Sequence, residues 1–118
     1  MTFKKSNNPL VTLDIGKVEL IKKWLDEHVN YPLDYKINED LTIDVYDNLI
    51  VSANSGDFPD YINFNIILGF FDIADCNMTS LRGCPKIVKG EFRCDTNRAK
   101  FTIKDVENIY KVKHSIHV

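Results

Sequence analysis

The sequence lacks the local signatures that would announce nucleotide, metalloprotease or serine-hydrolase chemistry. It has no glycine-rich phosphate loop, no HExxH and no GxSxG, so none of those mechanisms has its usual scaffold. Its longest apolar run, Ile66–Phe71, is broken by Gly69 and is far short of the about 20 residues that a bilayer-spanning helix needs. No membrane association is expected. The opening stretch MTFKKSNNPL carries two lysines with no apolar segment after them, which argues against a secretory leader.

Cysteine is scarce and odd in number. Cys76, Cys84 and Cys94 are neither a CxxC pair nor a zinc ladder, and His28, His114 and His117 do not complete one. The three read as buried free thiols in a reducing compartment, so a cytoplasmic protein is expected. The carboxylates Glu39, Asp40, Asp44 and Asp47 lack the spacing of a calcium loop and are read as turn residues. No metal, cofactor or catalytic residue is assigned, and the chain is not expected to be an enzyme.

What is present is enough for one domain. A chain of 118 residues with 44% apolar and 27% charged side chains can bury a core without staples. Its formal charge of −2 hides an asymmetry: residues 1–81 hold six Lys/Arg against thirteen Asp/Glu, whereas residues 82–118 hold nine against four. The chain is a charge dipole along its own sequence.

Residues 1–13 read as an arm in which Leu10, Val11 and Leu13 begin to touch the body. Over 14–30 the apolar residues Val18, Ile21, Leu25 and Val29 recur at helical spacing, widened by Leu20 and Trp24, with Asp14 as N-cap. The period then changes to two. YKINEDLTIDV, 35–45, reads as a β-hairpin with its turn at Asn38–Asp40, and LIVSA, 49–53, as a third strand. The run from Tyr61 fits either a helical turn or a strand at first, then a strand over Gly69–Ala74.

The strongest internal signal is a repeat. LGFFDIADCN at 68–77 and KGEFRCDTNR at 89–98 share an outline at an offset of 21 residues, which predicts stacked units of one short strand and an irregular return over 67–118. Phe71 should lie on Phe92, Ile73 on Cys94, Ile67 on Val88 and Ile109, and Met78 on Ala99. Their neighbours Phe70, Asp72 and Ala74, then Glu91, Arg93 and Asp95, should face outward, with Asp72 paired to Arg93. A last rung at 110–117 is placed at an offset of 20, with Lys111 and Lys113 guarding its free edge. In the return segment Leu81 is an inward knob, Gly83 and Pro85 shape a bend, and Cys84 and Cys94 are small fillers. Asn97 is suited to bonding the backbone where the chain leaves the strand.

The segment MTSLRGCPKIVKGEFRCDTN, 78–97, resembles the short leucine-rich-like repeat of tailed-bacteriophage proteins, LTSL-x-GCP-x-x-V-x-G-x-F-x-C-x-x-N. It matches at Met78, Thr79, Ser80, Leu81, Gly83, Cys84, Pro85, Val88, Gly90, Phe92, Cys94 and Asn97. The helix followed by a strand pair resembles the amino-terminal cap of those proteins. The preceding unit departs by having Ile73 at the cysteine position, and the following one has FTIKDVENI in place of TSL-x-GCP. The resemblance implies an α+β fold in which an amphipathic helix packs on a small leucine-rich-repeat-like sheet with an amino-terminal β-hairpin. It also implies a non-enzymatic binder of a host protein, acting in the host cytoplasm to inhibit or redirect a defence nuclease, toxin or transcription component.

The expected interface is Phe70, Asp72, Glu91 and Arg93, bordered by Lys111 and Lys113. An alternative is nucleic-acid binding through Arg82, Lys86, Lys89, Arg98, Lys100 and Tyr110, although Glu91, Asp95, Asp105 and Glu107 interleave with these cations. A structural phage component, or a homodimer joined at the lysine-bearing edge, are further alternatives.

Overall fold

The computed structural model describes residues 14–109, 111–112 and 116–118. The expected arm at 1–13, and the positions of Tyr110, Lys113 and His114, lie outside the described residues. The fold is a mixed α+β arrangement of two helices and two sheets.

Helix α1 spans Ile15–His28, and the Asp14 side chain accepts from the Lys17 amide, satisfying one of the orphan donors of the first turn. Ile21, Trp24 and Leu25 are buried on its inner face and Val29 just beyond its end. Leu20 does not widen that stripe: it is exposed. The buried face is centred on Ile21, Trp24 and Leu25, and Leu20 falls outside that arc.

Strands β1 (Tyr35–Ile37) and β2 (Ile43–Val45) form the expected antiparallel hairpin, with Tyr35 opposite Val45. The chain then leaves that sheet, and β3 (Leu49–Ile50) opens a second one. It alternates thereafter through β4 (Phe64–Ile67), β5 (Phe71–Asp72), β6 (Ile87–Val88), β7 (Phe92–Arg93), helix α2 (Ile103–Glu107), β8 (Lys111–Val112) and β9 (Ile116–His117). One sheet has the order β1-β2-β4-β6-β8 and the other β3-β5-β7-β9. The expectation of one strand followed by an irregular return is therefore corrected. The corners at 46–48, 68–70 and 89–91 join a strand of each sheet, and the ambiguous run near Asn65 is strand β4.

All pairings after the hairpin are parallel. Leu49 lies beside Phe71, Phe71 beside Phe92, and Phe92 beside Ile116, offsets of 22, 21 and 24 residues. The last offset corrects the expected 20. Val112, not Ile109, stands beside Val88, and Ile109 is exposed. The cause is α2, which was not anticipated: Thr102 and Asp105 form a capping box that starts a helical turn where the preceding units have an irregular return. The helical return takes more residues, so the strands that follow arrive later in the sequence.

The core lies between the sheets and under α1. Trp24, Phe58, Phe64, Phe71 and Phe92 form a continuous run of ring contacts, with centroid separations of 5.3, 5.4, 6.1 and 5.0 Å. Two glycines are required by this packing. A Cβ on Gly69 would stand 2.0 Å from the Asn48 side-chain oxygen, and Gly83 has φ +83° with a built Cβ 2.4 Å from the Ile62 carbonyl, positions that exclude any side chain. No helix among the described residues is long and apolar enough to cross a membrane.

Candidate protein-binding faces

On the second sheet, strand register places Ile50, Asp72, Arg93 and His117 in one column. Parallel strands about 4.8 Å apart fix the spacing of such a column. Asp72 and Arg93 stand in this column and Glu91 reaches it through His117, while Phe70 sits at the corner just before β5. Lys111 is not among them: it lies in β8, beside Ile87 in the other sheet.

Phe70 is half-buried. Its amide donates to the Asn48 side-chain oxygen at 3.0 Å and its carbonyl accepts from the Leu49 amide at 2.9 Å, so its backbone is held on both sides. Asp72 stands beside Arg93 in register, but the expected cross-strand pair gives way to a local one. Arg93 donates through Nε to Asp95 Oδ1 at 2.8 Å, and the Asp72 carboxylate accepts from the Ala74 amide. Asp95 is two residues along an extended chain and therefore on the same side, so reaching it orders less chain than reaching across strands. The bond from Arg93 holds the Asp95 carboxyl below its ordinary range against a smaller opposing effect of burial. Glu91 meets the His117 ring at 3.1 Å and ties the last strand to the preceding corner.

The cations expected to form a nucleic-acid stripe fall on different elements. Lys86 precedes β6, Lys89 stands at a corner, Arg98 and Lys100 follow β7, and Lys104 is in α2. Arg82 is an exposed residue, yet its guanidinium donates to the carbonyls of Phe58, Pro59 and Ile62 and to the Asn63 side-chain oxygen. It closes the 58–63 loop.

Phe71, Ile73, Leu81, Cys84, Pro85, Val88, Phe92 and Cys94 are buried. Burial raises the thiol pKa of Cys76 to about 11 and of Cys94 to about 12, helped by nearby carboxylates, and raises Cys84 well above its ordinary value. Such thiols are poor nucleophiles and metal ligands. The carboxylates of Asp40, Asp44 and Asp47 accept from Thr42, from Asn38 and Asn65, and from the Asn48 amide respectively. No cluster of His, Cys, Asp and Glu among the described residues could hold a metal ion. His28 packs on Trp24 and bonds Ser55.

The exposed apolar residues that sequence reasoning missed lie in the first sheet and at its corner. Asp44, Ile66, Ile87 and Lys111 occupy successive register positions there, and the neighbouring corner exposes Tyr46 and Leu68. Ile87 is exposed and Ile66 half-buried, while Ile67 and Val88 are buried. The signal was available: in the pairs Ile66–Ile67 and Ile87–Val88, period two sends one member out, as it does for Phe70 and Phe71.

No protein-family model, curated protein or solved structure matches this chain.

Proposed function

We propose that the chain is a short ladder of leucine-rich-like repeats that serves as a non-enzymatic protein-binding module. Its phage-like repeat, 78–97, further suggests a small protein that occupies a host protein in the host cytoplasm and inhibits or redirects it, such as a defence nuclease, toxin or transcription component. The observation that carries the binding role is the parallel register that sets Phe71 beside Phe92 inside and Asp72 beside Arg93 outside. A face built this way is rigid before it meets a partner, so little conformational freedom is lost on association. Phe70, Asp72, Glu91 and Arg93 are the contacting residues of this reading.

The test is capture from host lysate with the unmodified chain, Arg93→Glu and Phe70→Ala side by side, read by mass spectrometry. A true partner is retained by the unmodified chain and depleted with both variants. Partners captured equally by all three would remove this face from the reading. A nucleic-acid role draws less support, because Arg82, one of its expected cations, is committed to closing a loop. A salt titration of any complex separates the two, since phosphate contacts weaken steeply with salt.

A further inference from the structure

The outer edge of β3 is closed by a single hydroxyl. The Leu49 and Val51 amides donate to the Phe70 and Asp72 carbonyls, so alternation turns the Ile50 amide and the Asn48 carbonyl the other way, to the side where β3 has no strand neighbour. Tyr31, just past the end of α1, meets both. Its hydroxyl donates to the Asn48 carbonyl at 2.7 Å and accepts from the Ile50 amide at 2.8 Å, using a phenol in both of its roles. The Ser52 amide, next on that edge, donates to the His28 carbonyl at 2.9 Å. The tail of α1 therefore supplies bonds that a further strand would make.

Asn48 carries this cap on to the corner before β5. Its side-chain oxygen accepts the Phe70 amide at 3.0 Å. It fits there because residue 69 is glycine, on which a Cβ would stand 2.0 Å from that same oxygen. The Asn48 amide donates to Asp47 Oδ1 at 2.8 Å, so with Tyr31 on its carbonyl the residue is held on both sides of its Cα. We infer that Tyr31 is a positioning residue for Phe70 and acts through Asn48: the hydroxyl fixes the Asn48 backbone, and the Asn48 side chain fixes the Phe70 amide. The relay runs from the end of the helix, across the edge strand, to a half-buried aromatic. It holds the corner in place before any partner arrives, which keeps the cost of ordering on association low. The relay rests on bonds within the chain, whereas its bearing on binding rests on the proposed role of Phe70 as a contact.

Amide hydrogen exchange, resolved by residue with NMR on the full chain, tests it. Tyr31→Phe removes the hydroxyl and keeps the ring. It should speed exchange about fivefold or more at Ile50, which loses its acceptor, and also at Phe70, which keeps its own. Asn48→Ala should speed Phe70 to a similar extent and leave Ile50 protected by Tyr31. In the double variant Phe70 should exchange no faster than in Asn48→Ala alone, because a relay broken at its second step has nothing more to lose. The amides of Phe71 and Ile73, which donate to the Glu91 and Arg93 carbonyls, are the controls, and acceleration at Phe70 should exceed any at these two. An unchanged Phe70 amide in Tyr31→Phe overturns the inference. So does an additive double variant, and so does equal acceleration at Phe70, Phe71 and Ile73, which is general loosening of the fold. Failure of Phe70→Ala to alter partner capture would remove the contact role of Phe70 and leave the exchange result standing.

Discussion

Asn97 holds the backbone of Cys76 from twenty-one residues away: its side-chain oxygen accepts the Cys76 amide at 3.1 Å. The same oxygen accepts from Met78, and the amide nitrogen donates to the carbonyls of Ile73 and Cys94, both at 2.9 Å. One side chain thus satisfies backbone groups on both the β5 and the β7 side of the second sheet, at Ile73, Cys76 and Met78 and at Cys94. Asn97→Ala should lower stability by about 1–3 kcal/mol through unsatisfied backbone groups. Asn97→Asp should not rescue it, because a carboxylate oxygen would face the two carbonyls. Urea unfolding of both variants decides; a wild-type midpoint for either one would refute this role.

Phe92 is fully buried and its ring centroid is 5.0 Å from that of Phe71. Phe92→Ala should cost about 3–5 kcal/mol by opening a cavity at the end of the ring run. Phe70→Ala, at a half-buried site, should cost clearly less. Equal losses for the two would mean that the inside and outside of the second sheet have been misassigned.

Thr96 has φ 56°, while Asn54 and Asp75, at matching places in the earlier turns, have φ 61° and 59°. A β-branched residue is strained in this left-handed region, whereas asparagine and glycine tolerate it. Thr96→Asn and Thr96→Gly should therefore raise stability by about 1 kcal/mol, seen as a higher thermal midpoint. A lower midpoint for both would show that the threonine is not strained.

The buried thiols make stability pH-dependent on the alkaline side. Burial raises the Cys76 and Cys94 pKa values from 9.0 to about 11 and about 12, so the native state keeps protons that the unfolded chain releases. This contribution is complete below the unfolded pKa of 9.0 and is lost as pH climbs toward the folded values. The unfolding midpoint should fall between pH 9 and 11, and less so in Cys76→Ala. Alkylation at pH 8 should label these cysteines only after denaturant is added; rapid labelling of the native chain would contradict their burial.

Arg82 joins the 58–63 loop to the segment before β6 through neutral acceptors. Arg82→Ala should lose about 1–2 kcal/mol, and the loss should persist at high salt. Lys89→Ala and Lys100→Ala, at exposed positions, should stay within about 0.5 kcal/mol of wild type. Loss of stability for all three alike would point to net charge as the cause.

Much of the fold is legible in local pattern. The spacing of Ile21, Leu25 and Val29 marks α1, the change to period two marks the β1–β2 hairpin, and the repeated outline around Phe71 and Phe92 marks two strands that lie side by side in parallel. The candidate site is legible only in part. Alternation brings Asp72 and Arg93 to one face, but it does not choose between Asp72 and Asp95 as the partner of Arg93, because both are within reach of a long side chain in the sequence alone. Alternation also sends Ile66 and Ile87 outward, but a short apolar run gives no sign of which sheet it joins.

By itself the sequence determined where apolar residues recur, which turns need Asn, Asp or Gly, and that the acids precede the bases. These follow from spacing and from the backbone each residue type tolerates. Only the tertiary structure decided that the strands divide between two sheets, that a capped helical turn delays the last pair to an offset of 24, and that Asp44, Ile66, Ile87 and Lys111 stand in one column. Those outcomes depend on which distant segments share hydrogen bonds and a core, and no local window of the chain contains both partners.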